Sequence, residues 1–201
     1  LHIGIKMITL QKDRTILDFV QVYKQAMSTK QCQSVLNKVD SMEWHTHAWS
    51  SYNKVATSGS PETEFTRAEV SNGTTRLLLS GCVNQCVTQY TRYIENIFSI
   101  RIGFNGMTIP SMNRYCTGQK MLPHVDHITS IFDGQLKGIP TLSVVGLLNN
   151  DFTDGQFMFW EDHNMKLEVG DIMIFPSNFM YKHHVEPVTQ GTRYSFVSWT
   201  Y

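Results

Sequence analysis

The stretch KLEVGDIMIFPS, residues 166–177, joins a short run of β-branched and aromatic side chains to Gly, Asp and Pro. Apolar runs of this length, bounded by turn-forming residues, are typical of β-strands. Similar runs lie on both sides of it: TIPSMNRYC (108–116), TLSVVGLLNN (141–150), GQFMFWED (155–162) and TRYSFVSWTY (192–201). The sequence therefore predicts an all-β sandwich or barrel in residues 106–201.

The region before residue 106 is expected to be helical and loop-rich. Ser28 and Thr29 are good caps for a helix that begins there. The stretch VNQCVTQYTRYIENIFSIR (83–101) is the clearest helix. Its apolar positions alternate at steps of four and three: Val83, Val87, Tyr90, Ile94 and Ile97. Residues 45–75 are polar and predict a long loop with at most one short strand. A single domain over residues 1–201 is the simplest organisation.

The charge and cysteine content narrow the class of protein. Seventeen basic and seventeen acidic side chains cancel, which disfavours a sequence-independent nucleic-acid partner. The first residues lack a charged region followed by an apolar run, and no stretch is apolar for long enough to span a membrane. Of the four cysteines only Cys82 and Cys86 are close, as C-x3-C, and no second pair stands at metal-ligand spacing, so the sequence predicts free thiols and a reducing, cytoplasmic location. These features indicate no oligomeric state.

Two histidines and a carboxylate cluster in LPHVDH, residues 122–127. Residues i and i+2 of a strand share a face, so His124 and Asp126 are expected to converge while Val125 points into apolar packing. A metal bound on one triangular face needs a third ligand. The downstream candidates are His163, His183 and His184.

Arg193 and Ser195 are again two residues apart on a predicted strand. A guanidinium and a hydroxyl together suit an incoming carboxylate, because charge-assisted bonds fix its position and orientation. A structural ion pair at Arg193 is the alternative. Zinc is one metal that such ligands could bind. However, structural zinc prefers cysteine-rich sites, and a catalytic zinc would leave Arg193 unexplained.

Five segments in this order resemble the iron(II)- and 2-oxoglutarate-dependent dioxygenases, within them the prolyl-hydroxylase-like branch. The segments are YCTGQKMLPHVD (115–126), LLNNDFTDGQFMFW (147–160), LEVGDIMIFPS (167–177), HHVEPVTQGTRYSF (183–196) and TRYSFVSW (192–199). One departure is the turn Asp154-Gly155-Gln156, where the family has Gly-Gly-Glu. The resemblance implies a mainly β (α+β) fold, a double-stranded β-helix or jelly roll with supporting N-terminal helices.

The resemblance also assigns roles to residues of this chain. His124, Asp126 and His183 correspond to the iron ligands, His183 being chosen over His184 by its His-x-Val-x-Pro register. Arg193 corresponds to the residue that pairs with the distal carboxylate of 2-oxoglutarate. Ser195 and Tyr115 correspond to its hydrogen-bonding supports. Five histidines receive no ligand role: His184 faces away, His127 is outer-shell or exposed, His163 lies in a loop, and His45 and His47 are surface or substrate-side residues.

The implied activity is hydroxylation of a C–H bond, with release of succinate and carbon dioxide. Fe(II), 2-oxoglutarate and O2 are the expected cofactors and co-substrates, with ascorbate as an optional addition. A prolyl residue in a peptide or protein is the first candidate substrate. A free amino acid or small metabolite, a methylated nucleobase and a catalytically silent jelly-roll binding protein are the alternatives, of which neutral charge disfavours the nucleobase.

Overall fold

A computed structural model describes residues 15–51, 54–127 and 139–201. Within them α1 is Thr29–Leu36 and α2 is Gly73–Phe98, with 3-10 turns at Ile16–Phe19 and Val39–Ser41. The strands are β1 Gln21–Tyr23, β2 His45–Thr46, β3 Ala48–Ser51, β4 Lys54–Ser58, β5 Thr66–Glu69, β6 Ser111–Tyr115, β7 Met121–His124, β8 Leu142–Leu147, β9 Phe152–Asp154, β10 Phe157–Phe159, β11 His163–Met165, β12 Ile172–Pro176, β13 His183–Val185, β14 Val188–Gly191 and β15 Arg193–Thr200.

Two antiparallel sheets organise the described residues. The major sheet has seven strands in the order β1-β12-β8-β15-β6-β5-β2, and the minor sheet has four in the order β11-β10-β13-β7. Two further ribbons pair β14 with β9 and β3 with β4. The two sheets enclose an aromatic-rich core that includes Phe157, Phe159 and Phe175. The predicted double-stranded β-helix is therefore confirmed, and each of the five predicted runs contains a strand.

Strand β12 shows why the stretch 166–177 is apolar at successive positions. Ile172 and Ile174 pack into the cluster on the helix side of the major sheet. Met173 and Phe175 pack into the cluster between the two sheets. All four side chains are fully buried, so the strand is covered on both faces and needs no polar alternation.

The predicted helices are present with shifted bounds. Ser28 caps α1, its hydroxyl oxygen accepting from the Gln31 amide at 3.3 Å. Helix α2 begins at Gly73, ten residues before the predicted start, because the Asn72 side chain caps it by accepting from Thr75. It ends at Phe98, since Ser99 adopts a left-handed conformation. Ile97 was predicted on its packed face but is 42% exposed.

The prediction for residues 45–75 was wrong. This segment holds strands β2, β3, β4 and β5 and the start of α2 rather than one long loop. Strand β5 joins the major sheet beside β6, which brings this segment to the wall of the central cavity. The strands are short and mostly polar, so they lack the alternation of apolar residues that marks a half-buried strand.

Two other expectations concern cysteines and membranes. Cys32, Cys82 and Cys86 are buried, Cys116 is half-buried, and all of them are free thiols. No helix among the described residues is long and apolar enough to cross a bilayer. The expectation drawn from the first residues falls on residues 1–14, which lie outside the described ranges.

Candidate metal centre

The structure brings His124, Asp126 and His183 together. His124 ends β7 and lies directly opposite His183, which begins β13. Their ring centroids are 4.3 Å apart. The Asp126 carboxylate lies 3.2 Å from His124 Nε2 through Oδ1 and 3.8 Å from His183 Nε2 through Oδ2. One ligand atom from each residue therefore falls within 4.8 Å of the other two, a geometry that suits a single metal ion.

Both imidazoles turn the same nitrogen toward this point. His124 Nδ1 lies 2.9 Å from the Leu122 carbonyl oxygen, and His183 Nδ1 lies 2.9 Å from that of Tyr181. A carbonyl oxygen only accepts, so each Nδ1 carries the proton and donates it. Each Nε2 then keeps a free lone pair, which is the arrangement found in histidines that bind metals.

Burial and charge set the protonation states of the cluster. Burial lowers the pKa of His183 to about 4, against the opposing effect of Asp126, so the imidazole is neutral at neutral pH. Burial alone would raise the pKa of Asp126, but the neighbouring His183 and His124 and the hydrogen bond donated by Ser143 lower it well below its usual range. His183 thus offers a neutral imidazole and Asp126 a carboxylate, the forms that bind a divalent cation.

A serine outside the cluster fixes the carboxylate. Ser143 Oγ, on β8, lies 2.6 Å from Asp126 Oδ2 and donates to it. Ser143 Oγ is also 2.8 Å from Ser177 Oγ. Both serines are fully buried. Nothing in the run TLSVVG marks Ser143 as functional, so the sequence analysis missed it.

The two neighbouring ligands do not share a strand, contrary to prediction. Strand β7 ends at His124, and Asp126 follows in a bend. Val125 was expected in apolar packing behind the strand, but it lines the cavity instead. The bend brings His124 and Asp126 side by side. The prediction had attributed this to the alternation of side chains along an extended strand.

Arg193 lies on the same cavity wall. It sits opposite Tyr115 across strands β15 and β6, with its guanidinium carbon 5.2 Å from the centre of the Tyr115 ring. Its Nη1 donates to Ser195 Oγ at 2.8 Å. Burial lowers the pKa of Arg193 and raises that of Tyr115 to about 12, so the phenol keeps its proton and can donate. The three residues that the resemblance assigned to 2-oxoglutarate therefore lie together in the structure.

Arg193 is almost completely buried and has no carboxylate partner among the described residues. A buried guanidinium without a counter-ion is costly, so the expected structural ion pair does not explain it. A carboxylate that entered the cavity of about 180 Å³ would supply the missing charge. The cavity also reaches the three candidate metal ligands.

Four further residues in the cavity wall come from the segment 45–75, and a position was predicted for only one of them, His47. They are His47, Ala48, Trp49 and Arg67. Trp49 meets the His124 ring edge-on at 5.1 Å, and the His47 ring stacks on Phe65 at 4.4 Å. His47 is thus on the cavity side, one of the two positions expected for it. Only the pairing of β5 with β6 brings this segment to the site, and no local pattern predicts that pairing.

The remaining histidines stay outside the cluster. His184 Nε2 lies 2.8 Å from Glu186 Oε1, on the face of β13 opposite to His183. His45 and His127 are exposed. His163 was predicted in a loop, but it begins strand β11 with its ring 6.2 Å from that of Trp160. Within the described residues no cysteine joins the cluster, which disfavours structural zinc.

Comparison with known proteins shows which proteins this region is similar to. Residues 110–201 match the sequence model of the 2OG-Fe(II) oxygenase superfamily. A PKHD-type hydroxylase of Cupriavidus pinatubonensis is 31% identical over 96 residues, which cover 45% of this chain and 41% of that protein. The match thus spans less than half the length of this curated relative. Residues 110–201 are therefore similar to the 2OG-Fe(II) oxygenase superfamily, and the resemblance found in the sequence is confirmed.

Solved structures confirm the prolyl-hydroxylase-like fold. A prolyl hydroxylase from Trichoplax adhaerens, in complex with a peptide fragment of the hypoxia inducible factor oxygen degradation domain, superposes with a TM-score of 0.67 at 16% identity. The superposition covers 92% of this chain and 84% of that one. A prolyl-4-hydroxylase from Pseudomonas putida gives a TM-score of 0.62 at 14% identity, covering 90% and 91%. At these identities the likeness concerns the fold.

Proposed function

We propose that this chain is an Fe(II)- and 2-oxoglutarate-dependent dioxygenase that hydroxylates a C–H bond. One observation carries the proposal: a His-Asp-His cluster faces the same cavity as a buried guanidinium that has no carboxylate partner among the described residues. The cluster has the composition of the 2-His-1-carboxylate triad of non-haem iron oxygenases. When bound there with 2-oxoglutarate, Fe(II) supplies oxidative decarboxylation of the keto acid coupled to hydroxylation of the substrate, releasing succinate and carbon dioxide.

The roles of the protein side chains follow from their surroundings. His124, Asp126 and His183 would hold the metal, with both imidazoles pre-oriented by backbone carbonyls and the carboxylate by Ser143. Arg193 would bind the distal carboxylate of the keto acid, and Ser195 and Tyr115 would support it. These groups bind and orient the co-substrate, and the protein contributes geometry and charge rather than covalent chemistry.

Apolar walls would keep bulk water from the reacting atoms. The His183 ring stacks on Phe157 at 5.1 Å and meets Phe175 edge-on at 5.1 Å. Val145, Val185 and Val197 also line the cavity. A dry cavity strengthens the charge interactions within it and limits side reactions.

A prolyl residue in a peptide or protein is the first candidate substrate. The fold similarity to prolyl hydroxylases supports this choice, and the Trichoplax adhaerens protein holds a peptide fragment. A free amino acid or small metabolite is the second candidate. A stimulating effect of ascorbate, a single domain over residues 1–201 and a cytoplasmic location stay predictions, the last supported by the four free thiols.

The test is incorporation of oxygen into a substrate pool. Purified protein with Fe(II), 2-oxoglutarate and isotopically labelled dioxygen is incubated with proline-containing peptides, and products are analysed by mass spectrometry. We expect labelled hydroxyl on at least one peptide or amino acid, and none with the Asp126→Ala variant. Label at equal levels with wild type and variant would contradict the proposal.

A further inference from the structure

We propose that Arg67 is a specificity-determining residue that binds a carboxylate of the substrate, so that the natural substrate is an acidic molecule. The inference rests on the proposed function, because it names the substrate class of the same cavity. It concerns a second cation, separate from Arg193, which is the residue assigned to the keto acid.

Arg67 is a half-buried residue of β5 that lines the cavity. Its Nη2 donates to Ser111 Oγ at 2.9 Å, and its guanidinium carbon lies 5.1 Å from the centre of the Trp199 ring. These two contacts hold the planar group in place. Neither neutralises its charge, and the described residues give Arg67 no ion pair.

The surroundings of Arg67 contain further unsatisfied polar atoms. Asn113 lies opposite Arg67 across β5 and β6, is 7% exposed, and lines the cavity. Its Oδ1 is buried and has no hydrogen-bond partner among the described residues. The same holds for Nε1 of Trp199 beneath the guanidinium. Buried polar atoms are rarely left unpaired, so a ligand with both donors and acceptors would complete this corner.

Arg114 is held by the same kinds of contact as Arg67, one hydroxyl and one Trp ring, but it lies away from the cavity. Arg114 lies on β6, where successive residues face opposite sides of the sheet, so it is on the other side from Asn113 and Tyr115. It stacks on Trp44 at 4.4 Å and donates from Nε to Thr66 Oγ1 at 3.1 Å. It does not line the cavity, whereas Arg67 does.

The positions of the two cavity arginines indicate that each binds a different carboxylate. Arg193 lies opposite Tyr115 on β6, and Arg67 lies opposite Asn113, two residues before Tyr115 on the same strand. One keto acid places one distal carboxylate at one guanidinium, which leaves the other free for the substrate. A carboxylate is the anion that matches a single guanidinium, because its two oxygens fit the planar fork of donors.

This carboxylate has two possible sources. It is either the α-carboxylate of a free amino acid or of a C-terminal residue, or the side chain of an acidic residue next to the hydroxylated one. Both place a negative charge in the corner formed by Arg67, Trp199 and Asn113. The experiment below distinguishes them.

The test uses matched pairs of probes that differ only in one carboxylate. L-proline is compared with L-prolinamide, and the peptide amide Gly-Pro-Glu with Gly-Pro-Gln. Each probe is titrated by calorimetry into the full chain under anaerobic conditions, with and without Fe(II) and 2-oxoglutarate. The proteins are wild type, Arg67→Leu, Arg67→Lys and the control Arg114→Leu, which removes an arginine from the opposite face of the same sheet.

Wild type and Arg114→Leu are expected to bind the carboxylate member of at least one pair about tenfold or more tightly than its amide, the size of a charge-assisted hydrogen bond. Arg67→Leu should lose the preference and Arg67→Lys keep part of it. The pair that responds identifies the source. The affinity for 2-oxoglutarate should be unchanged in Arg67→Leu.

Two results would overturn the inference: the absence of any carboxylate preference in wild type, including no binding at all, or a loss of 2-oxoglutarate affinity in Arg67→Leu comparable with that of an Arg193 variant. Succinate formation, measured on the same proteins in air, reports separately on the proposed function. Succinate without a carboxylate preference would refute the inference alone, and a preference without succinate would refute the activity alone.

Discussion

His183 lies directly opposite His124 across strands β13 and β7, and both imidazoles turn Nε2 toward the Asp126 carboxylate. This pairing joins residues from two distant parts of the chain into one cluster. The backbone carbonyls of Leu122 and Tyr181 accept hydrogen bonds from Nδ1 of the two rings and hold them in this orientation. The site is therefore pre-organised, and its parts can be tested separately.

The first prediction concerns the choice between adjacent histidines. His183→Ala should lower the affinity for Fe(II) on the order of 100-fold, because it removes one of three ligand atoms. His184→Ala is the matched control, since its imidazole pairs with Glu186 on the opposite face of β13. Equilibrium dialysis against Fe(II) under anaerobic conditions measures both. Loss of iron only in His184→Ala would reverse the assignment.

The second prediction concerns Ser143. Ser143→Ala should weaken metal binding by about tenfold, because it removes the hydroxyl that fixes Asp126 Oδ2. Ser177→Ala is the control, since Ser177 contacts Ser143 and the cluster only through it. A metal titration compares the two variants. Equal affinities in Ser143→Ala and wild type would show that this hydroxyl does not orient the ligand.

The third prediction concerns Arg193. Arg193→Met should raise the dissociation constant for 2-oxoglutarate by about tenfold to a hundredfold, since a charge-assisted bond is worth roughly 1.5–3 kcal/mol. Arg193→Lys, which keeps the charge, should lose less. Calorimetry gives the constants.

Arg193 should also affect thermal stability in a ligand-dependent way. The guanidinium is buried without a carboxylate partner among the described residues, so Arg193→Met should melt no lower than wild type when no ligand is present. A hundredfold excess of 2-oxoglutarate over its dissociation constant should stabilise wild type by about 2.7 kcal/mol. The same stabilisation in Arg193→Met at that ligand concentration would place the keto acid elsewhere.

The fourth prediction tests the packing of the major sheet. A Cβ at Gly146 would lie 2.2 Å from the Phe196 ring, so Gly146→Ala should destabilise the fold by about 1–3 kcal/mol. Gly81 lies in α2 with no atom within 4 Å of an added Cβ. Gly81→Ala should therefore stabilise by roughly 0.5–1 kcal/mol. Denaturant unfolding of both variants is the measurement, and a neutral Gly146→Ala would contradict the packing described for β8 and β15.

The C-terminal part of the chain could be interpreted from sequence because its signals are local. Strand β12 lies within one continuous apolar run of the sequence. The resemblance to the dioxygenase family, through its His-x-Val-x-Pro register, selects His183 over His184. The bend after His124 was not predictable, since a His-x-Asp spacing fits a strand and a bend equally well.

The residues contributed by the segment 45–75 could not be found in this way. Arg67 reaches the cavity because β5 pairs with β6, and the paired residues are 42 to 48 positions apart in the chain. Short polar strands leave no hydrophobic period from which such a pairing could be inferred. The substrate side of the cavity is therefore the part that only the structure reveals.

The most direct test of the central claim is succinate formation. Purified protein is incubated with Fe(II), 2-oxoglutarate and dioxygen, with and without pools of proline-containing peptides and amino acids, and succinate is quantified. We predict succinate that requires oxygen and Fe(II), increases with a substrate pool, and is lost in His183→Ala but kept in His184→Ala. No succinate above the His183→Ala level with any pool would contradict the claim that this chain is a 2-oxoglutarate-dependent dioxygenase.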